Sequence, residues 1–159
     1  MKDSKDIMKD SKDIKNILNG AIRREEEAYQ FYQDVTGRMS SKEVNETFQK
    51  LAEDEVEHKK FLQNCLDDPS LLNKLPVPPD YKVAEATVAP LLSFDMKPAE
   101  AMALAMKKEQ RSVEFYLNLA ENALDPDYRQ AFRELANMEL RHKTEIEDLF
   151  VNIGYPEKF

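Results

Sequence analysis

Two Glu-x-x-His segments, Glu55-Val-Glu-His58 and Glu139-Leu-Arg-His142, use both histidines of the chain. Residues three apart on a helix share a face, roughly 5–6 Å apart at Cβ, so each segment can aim a carboxylate and an imidazole at one point. Glu25 and Glu109 stand in otherwise apolar helical lines, each thirty residues before a Glu-x-x-His glutamate. Four carboxylates and two imidazoles make a donor set for two divalent cations. Buried without cations, each carboxylate would lose solvation worth several kcal/mol or take up a proton. Carboxylate plus imidazole suits iron, manganese or zinc, and the absence of thiolates argues against a soft copper site. A carboxylate-rich pair of sites with open positions favours iron or manganese.

Four helices must position these groups. The first carries Ile14, Leu18, Ala21, Glu25, Ala28 and Tyr32 at spacings of three and four. Thr36-Gly37-Arg38 ends it, and Ser40-Ser41-Lys42-Glu43 offers a capping box for the second. The second runs through Val44, Phe48, Leu51, Glu55, His58 and Leu62. Prolines then cluster between Asp68 and Leu91, predicting a long irregular connection over about 67–96 with a short helical turn near Ser70–Leu75. A third helix is predicted to start at Pro98 and to carry Met102, Met106, Glu109 and Tyr116. Asp125-Pro126 opens the fourth, with Phe132, Leu135, Glu139, His142, Ile146 and Leu149. A literal duplication, Met1–Ile7 repeated as Met8–Ile14, leaves residues 1–13 as a charged tail or a two-turn extension of the first helix. Residues 14–150 are the bundle, and 151–159 a C-terminal tail.

The halves align at an offset of 84 residues. Ala21, Glu25, Phe31 and Tyr32 fall on Ala105, Glu109, Phe115 and Tyr116. Phe48, Leu51, Ala52, Glu55, His58 and Lys59 fall on Phe132, Leu135, Ala136, Glu139, His142 and Lys143. Such fixed-offset similarity marks a duplicated unit, here a helical hairpin. Two hairpins joined by a long connection predict an all-α four-helix bundle with one crossover.

Composition narrows the function. A chain of 159 residues is one domain with a sizeable core. Three scattered glycines exclude dinucleotide and phosphate loops. A net charge of −8 argues against nucleic acid. One cysteine, Cys65, excludes an internal disulfide and any Cys-x-x-Cys motif, and suits a reducing interior. With no secretory-type leader and no apolar run near the ~18 residues of a membrane span, the expected location is the cytoplasm.

On these motifs the chain resembles the rubrerythrin branch of the ferritin-like di-iron carboxylate proteins, from about Ile14 to Leu149. The carrying residues are Glu25 with Ala28 and Phe31-Tyr32, Glu55-Val-Glu-His58, Glu109 with Phe115-Tyr116, and Glu139-Leu-Arg-His142. The resemblance implies a ferritin-like bundle in which Glu25 and Glu109 are terminal ligands, Glu55 and Glu139 bridge two irons, and His58 and His142 each bind one. It also implies reduction of hydrogen peroxide or dioxygen, or oxidation of ferrous iron. Two features depart from the family. One cysteine cannot build a rubredoxin domain, so a peroxidase of this kind needs an external electron-donor protein. Ser112 stands where full rubrerythrins place a further glutamate, leaving a symmetric site.

Three functions follow: a di-iron peroxidase-type oxidoreductase, a ferroxidase or iron-handling protein, and a non-catalytic metal-binding helical module. A homo-oligomer, in the first instance a dimer, is expected. Tyr32 and Tyr116 are candidates to hydrogen-bond the ligand carboxylates from behind. Met102 and Met106 read as core, Cys65 as a bystander thiol, Glu57 as surface. In the charge run Arg23–Glu27, all but Glu25 reads as a solvated face.

Overall fold

The computed structural model describes residues 4–154 and contains α1 (Ser4–Val35), α2 (Lys42–Asp67), a single-turn α3 (Ser70–Asn73), α4 (Pro98–Asn122) and α5 (Pro126–Gly154). α1 pairs with α2 and α4 with α5, and the hairpins meet along α2–α4 and α1–α5. This is the all-α, one-crossover bundle that the duplication predicts. α1 already runs from Ser4, so the duplicated heptad continues the helix rather than fraying as a tail, apart from residues 1–3, which lie outside the described residues. At the other end, α5 runs to Gly154 and takes in the first four residues of the predicted tail; residues 155–159 lie outside the described residues.

The two hairpin turns are built alike. Ser41 caps α2 by accepting from the Val44 amide (3.3 Å), one residue later than the predicted box, so no glutamate returns the bond. Asp125, its equivalent at the 84-residue offset, accepts from the amides of Asp127 (2.8 Å) and Tyr128 (3.4 Å). Gly37, at φ 86°, lets the first turn pass through a conformation that side chains resist. Asn45 clasps that turn, donating to the Met39 carbonyl (3.0 Å) and accepting from the amides of Gly37 and Met39 (2.9 and 3.0 Å). Arg129 makes the matching contact, donating through Nη2 to the Ala123 carbonyl at 2.9 Å. Residues 45 and 129, and the carbonyls of 39 and 123, are both 84 apart.

A polar layer divides the core into two apolar clusters. One contains Tyr32, Phe48, Leu51, Met102, Met106 and Ile146. The other contains Leu18, Leu62, Cys65, Tyr116, Leu135 and Met138. Each draws on all four long helices. Leu149, predicted for the core, is instead 47% exposed, because it lies near the end of α5, where the bundle no longer covers that face.

The crossover is anchored by charge. Lys143 on α5 is 1% exposed, and its Nζ reaches Asp80 (2.5 Å), Glu85 (2.9 Å) and Glu147 (3.1 Å). Glu147, fully buried, accepts the Ala84 amide at 2.8 Å, while Lys107 donates to the Ala84 carbonyl at 2.9 Å. Thr144 donates to the Pro79 carbonyl at 2.7 Å. A segment short of regular backbone pairing is thus satisfied by side chains of the bundle. Among the described residues no helix is long and apolar enough to cross a membrane.

Candidate metal centre

The polar layer consists of the six residues singled out by type and spacing. Glu25 comes from α1, Glu55 and His58 from α2, Glu109 from α4, Glu139 and His142 from α5. All are buried except the half-buried His58. Each interrupts an apolar line at a position the helix turns inward, so bundle packing alone carries it to the axis.

His58 Nδ1 lies 3.4 Å from Glu55 Oε2 and 3.6 Å from Glu25 Oε2. His142 Nδ1 lies 3.1 Å from Glu139 Oε2 and 4.0 Å from Glu109 Oε2. The two imidazoles stack, with centroids 3.3 Å apart and planes 7° from parallel. Two groupings bring ligand atoms within 4.8 Å of one another: Glu25, His58 and His142, and Glu109, Glu139 and His142. His142 belongs to both.

Burial shapes the charge of the layer. It pushes the Glu25 carboxyl well above the usual range, reinforced by the charge of Glu139 and hydrogen bonding with Glu55. Glu109 is raised well up by burial and then by Glu139. Burial also opposes ionisation of Glu55 and Glu139, but their hydrogen bonds outweigh it: with Glu25 and His58 for Glu55, and with His142, Glu109 and Glu25 for Glu139. Both are held below the ordinary range. His58 is raised, burial being outweighed by its bond to Glu55. Ionisation is therefore opposed most at Glu25 and Glu109, a cost that a bound cation would offset.

The residues fit a metal pair on their own chemistry. Among the described residues, Glu25 Oε1 and Glu109 Oε2 are buried with no hydrogen-bond partner, an arrangement that is costly for carboxylate oxygens in a protein interior. A divalent cation between carboxylates and imidazoles supplies the partner such oxygens lack. A third acidic group, Asp80, Glu85 and Glu147, differs: the Lys143 ammonium sits among its oxygens, so it is an ion-pair anchor.

Two cavities approach the layer from opposite sides. One, of about 240 Å³, has Glu25, Glu55, Glu109, Glu139 and Tyr32 on its wall and Arg24, Lys108, Arg111 and Glu27 around it. The other, of about 350 Å³, reaches His58 and His142 past Asp54, Glu57, Glu145 and Arg141. Arg24 is not the solvated charge its place in an acidic and basic run suggests. It is half-buried, with its guanidinium 3.9 Å from the Phe115 ring centroid and Nη2 3.4 Å from Ser112 Oγ. Lys108 sits likewise over Phe31 at 4.0 Å. The offset of 84 pairs Arg24 with Lys108 and Phe31 with Phe115, so each hairpin lays its cation on the other hairpin's aromatic ring. That pairing is legible in the sequence once similar residues, not just identical ones, are compared across the repeat.

Tyr32 stacks on Phe48 at 6.0 Å and faces the first cavity. Among the described residues no carboxylate hydrogen-bonds the buried Tyr116 hydroxyl, whose polar neighbour is the Arg24 guanidinium. Burial, then Glu139, raises that hydroxyl above the usual phenol range. Cys65 is buried and unpaired, its thiol pushed up to about 11 chiefly by burial, an inert environment.

The family model described as Rubrerythrin matches residues 6–150. No curated protein and no solved structure matches the chain.

Proposed function

The chain belongs to the rubrerythrin family, and from that premise we propose that it is a non-haem di-iron oxidoreductase that reduces hydrogen peroxide. The observation that carries this reading is the buried layer of four carboxylates and two imidazoles, with an orphaned oxygen on each of Glu25 and Glu109. In this reading Glu25 and Glu109 would serve as terminal ligands, Glu55 and Glu139 would be shared between the irons, and His58 and His142 would each hold one. Bound iron would supply the two electrons that convert peroxide, with two protons, to water.

The chain's own residues do the rest. Glu55 Oε2 and Glu139 Oε2 keep the Nδ1 edges of His58 and His142 turned into the layer. The four buried carboxylates would offset the positive charge of the pair. Two apolar clusters close the layer above and below, leaving the two cavities as its approaches. The reading includes a cytoplasmic location and an external protein as electron donor, since one cysteine offers no second redox centre. It also includes a homodimer, supported by exposed apolar side chains on the crossover, among them Val88, Leu91 and Phe94.

Anaerobic loading with ferrous iron, followed by one peroxide per iron pair, tests the reading. Complete oxidation of the bound iron is expected. Iron left ferrous by stoichiometric peroxide would falsify it, and faster reaction with dioxygen, with many irons retained per chain, would support iron handling instead.

A further inference from the structure

The two cavities that meet at the ligand layer carry opposite rims. On the carboxylate side, Arg24, Lys108 and Arg111 stand against one acid, Glu27. On the histidine side, Asp54, Glu57 and Glu145 stand against one base, Arg141. The basic rim is held in place: Arg24 and Lys108 are fixed over Phe115 and Phe31, so their charges do not swing away from the opening. The acidic rim is looser. Asp54 and Glu57 pair with Lys50 and Lys60 at 2.7 and 3.4 Å on the outer surface, and Glu145 with Arg141 at 3.7 Å. Exposed pairs of this kind are weak, leaving these carboxylates able to meet a doubly charged ion. A charged rim changes encounter rates by about 10 to 1,000-fold for ions and leaves neutral molecules indifferent.

We propose that the cavities are separate doors: divalent cations reach the centre past Asp54, Glu57 and Glu145 on the histidine side, and the oxidant reaches it past Arg24, Lys108 and Arg111 on the carboxylate side. The basic rim turns free ferrous ions away while passing a neutral or anionic oxidant. The oxidant door rests on the peroxidase reading; the cation door does not. The two doors keep loading and turnover from competing for one opening, and Ala28 and Ser112, equivalent positions in the two halves, form part of the oxidant door's wall.

Cobalt(II) uptake by the metal-free protein, followed by its visible absorption at low ionic strength, tests the cation door. Asp54→Asn/Glu57→Gln/Glu145→Gln is expected to slow uptake about tenfold with the final cobalt content unchanged, whereas Arg24→Gln/Lys108→Gln does not slow it. Plugging the other cavity with Ala28→Leu, or with Ser112→Leu if that variant folds poorly, is expected to slow peroxide oxidation of the iron-loaded protein and leave cobalt uptake unchanged. An unchanged uptake rate in the acid-side variant overturns the cation door. Plugs that slow cobalt as much as peroxide, or neither, overturn the separation. A wild-type protein inert to peroxide overturns the peroxidase reading and the oxidant door together, while the cobalt rates still decide the cation door.

Discussion

The two hairpins present the same ligands at the same intervals, yet they are not equally covered. Lys59 and Lys143 are equivalent by the repeat. Lys59 lies half-exposed on α2, in an ion pair with Glu26 at 2.9 Å. Lys143 is buried under the crossover, among three carboxylates. His58 is half-buried and His142 buried. A duplicated unit therefore keeps its chemistry where both copies face the axis and diverges where one copy receives a connection that the other does not. The connection, not the ligand set, makes the halves unequal.

The largest expected asymmetry is at the histidines. His142 is buried and belongs to both groupings, whereas His58 is half-buried and belongs to one, so His142→Ala is expected to weaken cobalt binding more than His58→Ala, although each removes one of the two ring ligands. Equal losses, measured by metal analysis after equilibrium dialysis, would show that the two rings serve equivalent sites. Next come the lysines. Lys143→Met strands Glu147 in the interior and is expected to cost about 3–5 kcal/mol of unfolding free energy, whereas Lys59→Met barely moves the urea midpoint. Replacing both partners, Lys143→Met/Glu147→Leu, should recover most of the loss; a double variant as unstable as the single would mean that Lys143 acts through the crossover carboxylates alone.

Smaller effects test where the halves remain alike. Asn45→Ala and Arg129→Ala each remove a turn clasp and are expected to cost similar amounts, about 1 kcal/mol, readable in thermal melts. A difference of several-fold between them would show that the turns are alike in geometry but not in energy. The smallest effect is at Tyr116, whose buried hydroxyl makes no close hydrogen bond among the described residues. Tyr116→Phe is expected to leave stability unchanged or slightly raised, because an unsatisfied buried group is removed. A loss above about 1 kcal/mol would reveal a bond to that hydroxyl.

The bundle and its six-residue layer were legible because helical period and a fixed offset put misplaced glutamates and both histidines on inward faces. Turn chemistry was legible at Gly37 and Pro126 for the same local reasons. What was not legible depends on contacts distant in sequence. Nothing local to Lys143 or Glu147 says that Asp80, Glu85 and Ala84 will arrive over them from the crossover. Arg24 reads as one charge in a run until Phe115, ninety-one residues away, covers it. The helix over residues 4–13 was not legible, because a charged stretch with little to bury reads first as a frayed tail, whereas α1 continues through it.

The division of the core has a consequence for how small this protein could be. Both apolar clusters and the layer between them draw on every long helix, so a single hairpin owns half of each and the whole of none. Cut free, it would expose an oily face and present one Glu with one Glu-x-x-His to solvent. A second copy of itself would supply the missing half of all three at once. The minimal self-sufficient unit is thus a pair of hairpins, and the crossover's deepest role is to guarantee that the pair is always present at one-to-one stoichiometry, whatever the concentration of the chain.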